Sequence, residues 1–413
     1  MAQTLKFGNK VWAAKEDSVL AYNDINNNYK PLPFSFSRAS IGTRVNKDGL
    51  IETMGQDIAR IDYTDSSDGV LLLEPASTNL ATYSQEFSDS SWNKVNSAGS
   101  SLPIVTSNYG VSPDGTQNAD RIQVSRASGA ADFSSIYKSI TISSSNRALS
   151  VWLKSLSGTP TILITNNNGT YVSQQITTEW VRYELDLGVG TLTELQLSVV
   201  GSNFVQGVSE SADFLAWGYQ LEALSYATSY IPTSGSTVTR AAETCNNSGN
   251  SEVFNDSEGV LFADISAFSE TNSFEAISIN DNSTSDRIFM GYYSDDLYIT
   301  VVDGGQAKYD VNTPINVKQN NKIAVKYKAQ DFSFYLNGFE INASVGINGG
   351  TTPSGLSQLS FNRGDAVEPF YGKTKEIGCY DTALTDAELE TLTSYRNWVS
   401  MVNELNLNII YNG

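Results

Sequence analysis

The chain has 413 residues, of which 40% are hydrophobic and 17% charged, and its formal net charge is −19 from 26 Lys plus Arg and 45 Asp plus Glu. This composition supports buried cores, and at about 150 residues per domain the length predicts two or three folded units. The negative charge repels phosphate backbones and anionic lipid, so we expect no nucleic-acid partner and no membrane insertion. Histidine is absent, which excludes Ser-His-Asp and Cys-His catalysis and histidine-ligated metal sites.

The first segment, residues 1–83, is dense in charged side chains and shows few regular strands, so we predict an irregular N-terminal region. It ends in GVLLLEPASTNL, where Glu74 follows three leucines and is therefore expected to be partly buried. A buried charge must be paired, and Arg60 or Arg38 could supply a bidentate partner, which predicts a structural ion pair. A catalytic Glu74 would need a second carboxylate across a sugar bond; the candidates are Asp62 and Asp57, but nothing in the sequence orders them there.

The second segment, residues 84–244, alternates apolar and polar residues. RALSVWLKS places Leu149, Val151 and Leu153 on one face, and WVRYELDL alternates in the same way. Short strands separated by Ser, Asn, Gly and Thr turns indicate a β-sandwich. We expect the tryptophans of this segment to belong to its core: Trp92, Trp152, Trp180 and Trp217.

The third segment, residues 245–397, predicts a second antiparallel sandwich. In KIAVKYKAQDFSFYLNGFEI, Ile323, Val325 and Tyr327 oppose Phe332, Phe334 and Leu336 across AQD, as in a hairpin. Cys245 and Cys379 are too few for a disulfide framework, and because no secretion signal accompanies them we expect two buried thiols.

A short helix is predicted near the C-terminus, with Thr385 as its N-cap and Glu388 completing a capping box. Four residues then follow at 3,4,3 spacing, and they either pack on the second sandwich or form a short oligomer seam: Leu392, Tyr395, Val399 and Val402. Residues 398–413 are predicted to form a helix or strand tail. The predicted class is all-β, with two tandem antiparallel β-sandwiches (jelly rolls) after the irregular N-terminal region.

Six segments occur in an order that resembles a family of bacteriophage head-fibre, head-spike and tail-fibre proteins: FSFSRASIGTRVNKDGLIE, ARIDY, GVLLLEPASTNL, YSQEFSDSSW, SPDGTQNADR and WGYQLEALSYATSYIPTSGSTVTRAAE. These proteins carry a carbohydrate-binding-module-like sandwich, and the resemblance covers residues 34–244. One departure is Ala59, where related sequences commonly have proline. KIAVKYKAQDFSFYLNG and EPFYGKTKEIGCYDTALTDAELETL are similar to strands and the closing helix of a concanavalin A or laminin-G type jelly roll.

The resemblance implies a structural virion protein at the virion surface, assembled in the host cytoplasm, with residues 1–83 as an attachment or collar region. Its implied partners are host cell-surface polysaccharide and other capsid or tail proteins, and its implied state is a homotrimer. A purely architectural decoration protein and a capsule-degrading glycosidase remain alternatives. We expect the protein to have no enzymatic activity. The sequence contains neither the Glu-x-Asp-x-x-Glu spacing of lectin-like glycosidases nor the coil-by-coil sequence repeat of a β-helix.

Sugar binding needs aromatic rings against pyranose C–H surfaces and polar side chains for the hydroxyls. The stretches NDNSTSDR, MGYYSDDLY and FNRGDAVEPFY supply both kinds of residue. Their clustered Asp and Asn residues would also suit Ca²⁺, which takes six to eight oxygen ligands without a rigid motif. The glycan-binding candidates are Asp281, Asp286, Arg287, Tyr292, Tyr293, Asp295, Asp296, Arg363 and Asp365.

Overall fold

The computed structural model describes residues 3–23, 28–167, 169–341, 350–395 and 401–402. This described part contains 29 strands and one short helix, which confirms the all-β class. Among these residues, no helix has the length and apolar character required to cross a membrane.

Nine strands lie within the first 83 residues, so this region is more regular than its sequence pattern indicates. They are β1 (Leu5–Gly8), β2 (Ala14–Lys15), β3 (Ser18–Asn23), β4 (Asn28–Ser37), β5 (Gly42–Val45), β6 (Ile51–Met54), β7 (Arg60–Asp62), β8 (Val70–Leu73) and β9 (Ser77–Asn79). Most are short, and several pair with strands hundreds of residues away, which a local pattern does not reveal.

The next strands, up to residue 222, build the first sandwich. They are β10 (Asn93–Asn96), β11 (Ser101–Gly110), β12 (Ala119–Ser125), β13 (Phe133–Ser155), β14 (Thr161–Asn167), β15 (Thr170–Gln175), β16 (Val181–Val200) and β17 (Ser211–Glu222). They form one eight-stranded sheet in the order β11-β12-β17-β13-β16-β14-β15, with β10 also on β13.

The long strands β13 and β16 belong to both layers of the first sandwich. The first part of β13 pairs with β10 and β16, and its second part, from Ala148, pairs with β17 and β16. Register shifts between Thr141 and Ser145 and between Asn146 and Ala148 separate the two parts. Such irregularities bend a strand, so one strand can turn from one layer into the other.

The remaining elements follow residue 237. They are β18 (Val238–Arg240), β19 (Thr244–Asn246), β20 (Glu258–Ala267), β21 (Thr271–Asn280), β22 (Arg287–Ser294), β23 (Asp296–Asp303), β24 (Gln306–Pro314), β25 (Asn321–Lys328), β26 (Ser333–Leu336), β27 (Phe339–Glu340), β28 (Gln358–Ser360), β29 (Gly372–Tyr380) and the helix α1 (Asp386–Thr393).

The second sandwich contains strands from both ends of the chain. Its twelve-stranded sheet runs β19-β4-β3-β1-β29-β20-β25-β26-β27, with β2 on β3 and β7-β8 joined to β29. Its other sheet runs β24-β23-β22-β21-β28. One edge of β29 is covered by β1, with Leu5 opposite Cys379, and by β8, with Leu73 opposite Gly372.

Two large apolar cores correspond to the two sandwiches. The core of the first sandwich is built from residues 81–221, including Phe87, Trp92 and Tyr219. In the core of the second sandwich, Phe7 and Phe34 of the N-terminal segment pack with apolar residues of β22 and β29, among them Met290 and Ile377. The N-terminal strands are therefore part of the second sandwich's interior.

Several local predictions are confirmed by the structure. The hairpin between β25 and β26 pairs Ile323 with Leu336 and Val325 with Phe334. Helix α1 begins at the capping box of Thr385 and Glu388. Both cysteines are buried and unpaired.

The tryptophan prediction holds in part. Trp92 and Trp217 are fully buried, whereas Trp152 and Trp180 are half-buried. In the predicted tail, residues 398–413, only 401–402 are described, so its strand pattern and Val399 of the 3,4,3 series lie outside the described residues.

Candidate functional site

Glu74 lies in a buried cluster of opposite charges. Its Oε2 is 2.7 Å from Arg60 Nη2 and 2.9 Å from Arg240 Nη1, and all three side chains are almost fully buried. Its Oε1 accepts a hydrogen bond of 2.8 Å from the backbone N–H of Ser229, in the segment that follows β17 of the first sandwich. Arg38 does not join Glu74; its Nη1 lies 2.7 Å from Glu243 Oε1.

The environment keeps Glu74 ionised. Burial alone would raise its pKa, but Arg240, Arg60 and the hydrogen bonds from Ser229 lower it to about 2. A catalytic acid needs the opposite shift, towards neutral pH. The cluster therefore suits a structural junction between the N-terminal segment, the first sandwich and the segment around Arg240.

The two carboxylates considered as catalytic partners of Glu74 are occupied elsewhere. Asp62 accepts hydrogen bonds from the backbone N–H groups of Val45 and Thr64, at 2.8 and 2.9 Å. Asp57 accepts one of 2.8 Å from the backbone N–H of Arg38. Both carboxylates fix backbone turns around the cluster.

The outer face of the five-stranded sheet carries a group of aromatic side chains around β22. Along β22, the side chains of Ile288, Met290 and Tyr292 belong to the core, so the alternate positions Phe289, Gly291 and Tyr293 point outward. We call this surface the β22 face and define it by Phe274, Phe289, Tyr293, Tyr298 and Arg363.

Three half-buried rings form the centre of the β22 face. The ring centroid of Phe274 lies 5.0 Å from that of Tyr293 and 5.1 Å from that of Tyr298, and the two tyrosine rings are 6.2 Å apart. Strand register explains this grouping, because Gly291 stands opposite Tyr298 and Tyr293 opposite Asp296. Gly291 carries no side chain that could cover the rings.

Arg363 brings a positive charge to the rings from the loop before β29. Its guanidinium lies 5.6 Å from the ring centroid of Phe274 and 5.7 Å from that of Phe289, within cation–π distance. Its Nη1 is 2.8 Å from Glu368 Oε2, which holds the side chain in place. Arg287 lies beside Phe289 at 5.2 Å and is almost fully buried. Burial, and then Arg363, lower the pKa of Arg287.

The structure brings Arg287, Tyr293 and Arg363 together on the β22 face, and Asp296 stands opposite Tyr293 at its edge. Tyr292 faces the core at 3% exposure, and its hydroxyl donates to Ile265 O at 3.3 Å. Because consecutive side chains of a strand point to opposite faces of the sheet, Tyr292 lies on the other side from Tyr293 and is not accessible to a ligand on the β22 face.

The predicted aspartates mostly hold turns. Asp281 Oδ1 accepts hydrogen bonds from Ser283, and Asp286 Oδ1 accepts one of 3.0 Å from the backbone N–H of Ser354. Asp365 Oδ1 accepts one of 3.3 Å from Val367 N–H.

Asp295 and Asp296 lie at the turn between β22 and β23. The backbone oxygen of Asp295 accepts a 2.7 Å hydrogen bond from Ile315, and Asp296 Oδ2 is 3.5 Å from Asn312 Nδ2. Among the described residues, no group of three or more Asp, Glu or Cys side chains could hold a metal ion.

The sequence reasoning missed three members of the β22 face: Phe274, Phe289 and Tyr298. The available signal was the alternation within MGYYSDDLYITVV, which puts Tyr293 and Tyr298 on the outward side of two adjacent strands. Phe274 could not be found in this way, because the register of β21 shifts between Thr271 and Glu275.

Comparison with known proteins bears on the second sandwich. A family model described as the concanavalin A-like lectin/glucanases superfamily (Laminin_G_3) matches residues 265–390. This range contains the β22 face and the first part of α1, so the matched part of the second sandwich is similar to lectin-like domains. The match covers less than half of the chain and excludes the N-terminal strands that complete the sheet. No curated protein shows significant similarity to this chain.

Solved structures with partial likeness include carbohydrate-binding modules. The CBM40 of the Ruminococcus gnavus IT-sialidase, bound to α2,3-sialyllactose, is 16% identical over 34% of this chain and 84% of its own, with a TM-score of 0.29. Domain 4 of the Geobacillus stearothermophilus arabinanase AbnA, in complex with arabinotriose, is 13% identical over 40% of this chain and 81% of its own, with a TM-score of 0.28. At these values we infer nothing about this chain from them.

Proposed function

We propose that the protein binds glycans through the β22 face. The observation that carries this proposal is the cluster of three half-buried rings, Phe274, Tyr293 and Tyr298, beside the guanidinium of Arg363. Rings supply surfaces for pyranose C–H groups, and a guanidinium donates to hydroxyls or a carboxylate. The lectin-like match over residues 265–390 supports the same function.

We further propose that the protein is a structural fibre or spike of a bacteriophage head or tail, exposed at the virion surface. The six sequence segments within residues 34–244 that resemble phage fibre and spike proteins, and that occur in the same order, support this role. Host cell-surface polysaccharide would be the ligand, other virion proteins the assembly partners, and a homotrimer the assembled state. Many copies on one particle would make weak individual sites effective through multivalency.

The test is a glycan array probed with the intact protein, with and without Ca²⁺. We expect binding to a subset of bacterial surface glycans, weakened by Tyr298→Ala and unchanged by removal of Ca²⁺. Phe339→Ala is the matched control, because Phe339 is a 73% exposed aromatic residue elsewhere on the same sandwich. Binding that Tyr298→Ala leaves intact would refute the β22 face as the site.

The second candidate is an architectural decoration protein that binds no glycan. The buried charge cluster around Glu74 and the long sheets favour a rigid building block, which either role would require. An array without any binding, together with incorporation of the protein into virions, would support this alternative. We propose no enzymatic activity, and release of reducing ends from host capsule by the purified protein would contradict that.

A further inference from the structure

The first sandwich carries a depression of about 170 Å³ on the outer side of β13, β16, β14 and β15. Strand register assembles it, because Ser135 stands opposite Ser198 and Tyr137 opposite Gln196 on adjacent strands. One strand further, Asn166 stands opposite both Glu194 and Tyr171. The alternate residues Ile136, Leu195 and Leu197 point into the core, so this row of side chains faces outward.

Half-buried aromatic rings form the wall of the depression. The ring centroid of Phe204 lies 6.0 Å from that of Phe133 and 5.6 Å from that of Tyr171, and both pairs meet edge to face. Tyr137 lines the same depression. These rings come from two strands and a loop, and together they offer apolar surface of the kind that sugar C–H groups contact.

The floor is polar and already ordered. Glu194 Oε2 accepts hydrogen bonds from Asn166 Nδ2 at 3.0 Å and from Gln196 Nε2 at 2.9 Å. Asn166 Oδ1 in turn accepts one of 2.9 Å from the backbone N–H of Gly169. A carboxylate and two amides held in this way are suited to bind sugar hydroxyls with little loss of side-chain entropy.

The charge of the depression differs from that of the β22 face. None of the described residues that line it is lysine or arginine, and Glu194 supplies a negative charge. An anionic sugar would meet this carboxylate without a compensating cation, whereas a neutral sugar can donate its hydroxyls to it. The β22 face, by contrast, presents Arg363 beside its rings.

We propose that this depression is a second glycan-binding site, separate from the β22 face, and that it takes neutral rather than acidic sugars. It stands independently of the β22 face, because it lies on another sandwich and is built from other residues. The chain would then combine a site whose rings lie beside an arginine with one that selects against acidic glycans.

The experiment measures binding of the intact protein to neutral probes (cellotetraose, maltotetraose and mannotetraose) and to acidic probes (trigalacturonate and sialyllactose). We expect a neutral probe to bind, and Tyr171→Ala or Phe204→Ala to weaken it at least about fivefold, or about 1 kcal/mol. Tyr298→Ala, on the β22 face, should leave this binding unchanged. Leu102→Ala is the matched control in the same sandwich, because Leu102 is 54% exposed and does not line the depression.

A second variant tests the charge preference without removing a ring. Glu194→Gln retains an oxygen that accepts from Asn166 and Gln196, so we expect neutral binding to persist and acidic probes to bind at least about fivefold more tightly. Thermal unfolding of each variant establishes that it is folded. The proposal is overturned if no neutral probe binds, if neutral binding survives both ring variants, or if Glu194→Gln leaves the preference between neutral and acidic probes unchanged.

Discussion

Among single residues, Glu74 shows how a buried charge is stabilised in this fold. Its carboxylate contacts Arg60 and Arg240, and the backbone N–H of Glu74 donates to Glu243 Oε2 at 2.9 Å. Three leucines before Glu74 indicate burial and hence an arginine partner. They cannot indicate Glu243, which is distant in sequence and is brought close only by folding.

We predict that Glu74→Gln destabilises the protein by about 3 kcal/mol, because it leaves buried guanidinium groups with less compensating charge. Chemical denaturation of the intact protein measures this change. Glu52→Gln is the control, since Glu52 pairs with Arg44 at the surface and its side chain is 44% exposed; we expect an effect below about 1 kcal/mol. Equal losses for the two variants would contradict the structural role of Glu74.

The pKa of Glu74 also sets a pH dependence. Because its pKa is about 2 in the folded state and 4.5 is its ordinary value, its stabilising contribution is complete above pH 4.5. That contribution is lost as the pH falls from 4.5 to about 2. We expect the free energy of unfolding to fall less steeply across this window in Glu74→Gln than in the wild type, although the variant is less stable at neutral pH. Chemical denaturation at a series of pH values, followed by circular dichroism, measures it.

Glu275 predicts the opposite pH dependence. It is 7% exposed, its Oε2 has no hydrogen-bond partner among the described residues, and burial raises its pKa to about 8. Folding therefore favours its protonated form, and stability falls as the pH rises from 4.5 to about 8. We expect Glu275→Gln to stabilise the protein at pH 9 by on the order of 4 kcal/mol and to have little effect at pH 4. The same difference in stability between Glu275→Gln and the wild type at pH 4 and at pH 9 would refute this.

Among the elements, local signals predict best where the partners are adjacent in sequence. The β25–β26 hairpin and the start of α1 were predictable because alternation and a capping box act within a few residues. The N-terminal strands were not, because β1 pairs with β29, and Leu5 meets Cys379 only after the whole chain has folded.

The N-cap of α1 gives a prediction for this element. Thr385 accepts a hydrogen bond from the backbone N–H of Glu388, and Leu389 of the same helix is fully buried. We expect Thr385→Ala to lower the free energy of unfolding by about 1 kcal/mol. Thr391→Ala, an exposed substitution within the helix, should not destabilise it; similar losses for both in thermal unfolding would contradict the capping role.

For the whole molecule, the two sandwiches differ in how much of the chain each requires. The core of the first lies within residues 81–221, whereas the core of the second includes Phe7 and Phe34. The two-sandwich, all-β class was predictable from strand alternation. The contribution of the N-terminal strands and the outward grouping of Phe274 with Tyr293 and Tyr298 were not, because both depend on register between distant strands.

We therefore predict that residues 80–237 fold on their own and that residues 245–413 do not. Without β1 and β8, the edge of β29 is unpaired, and such an exposed edge promotes aggregation. Gel filtration and the dispersion of amide resonances in NMR spectra distinguish the two outcomes. A monomeric, folded chain of residues 245–413 would show that the N-terminal strands are dispensable.

The most direct measurement of the central claim is the affinity of the intact protein for host-surface polysaccharide, compared between the wild type and Tyr293→Ala/Tyr298→Ala. Because these two rings form most of the half-buried cluster on the β22 face, we predict a loss of at least about tenfold, or about 1.4 kcal/mol, with thermal unfolding unchanged. Unchanged affinity in the folded double variant would contradict glycan binding by this face.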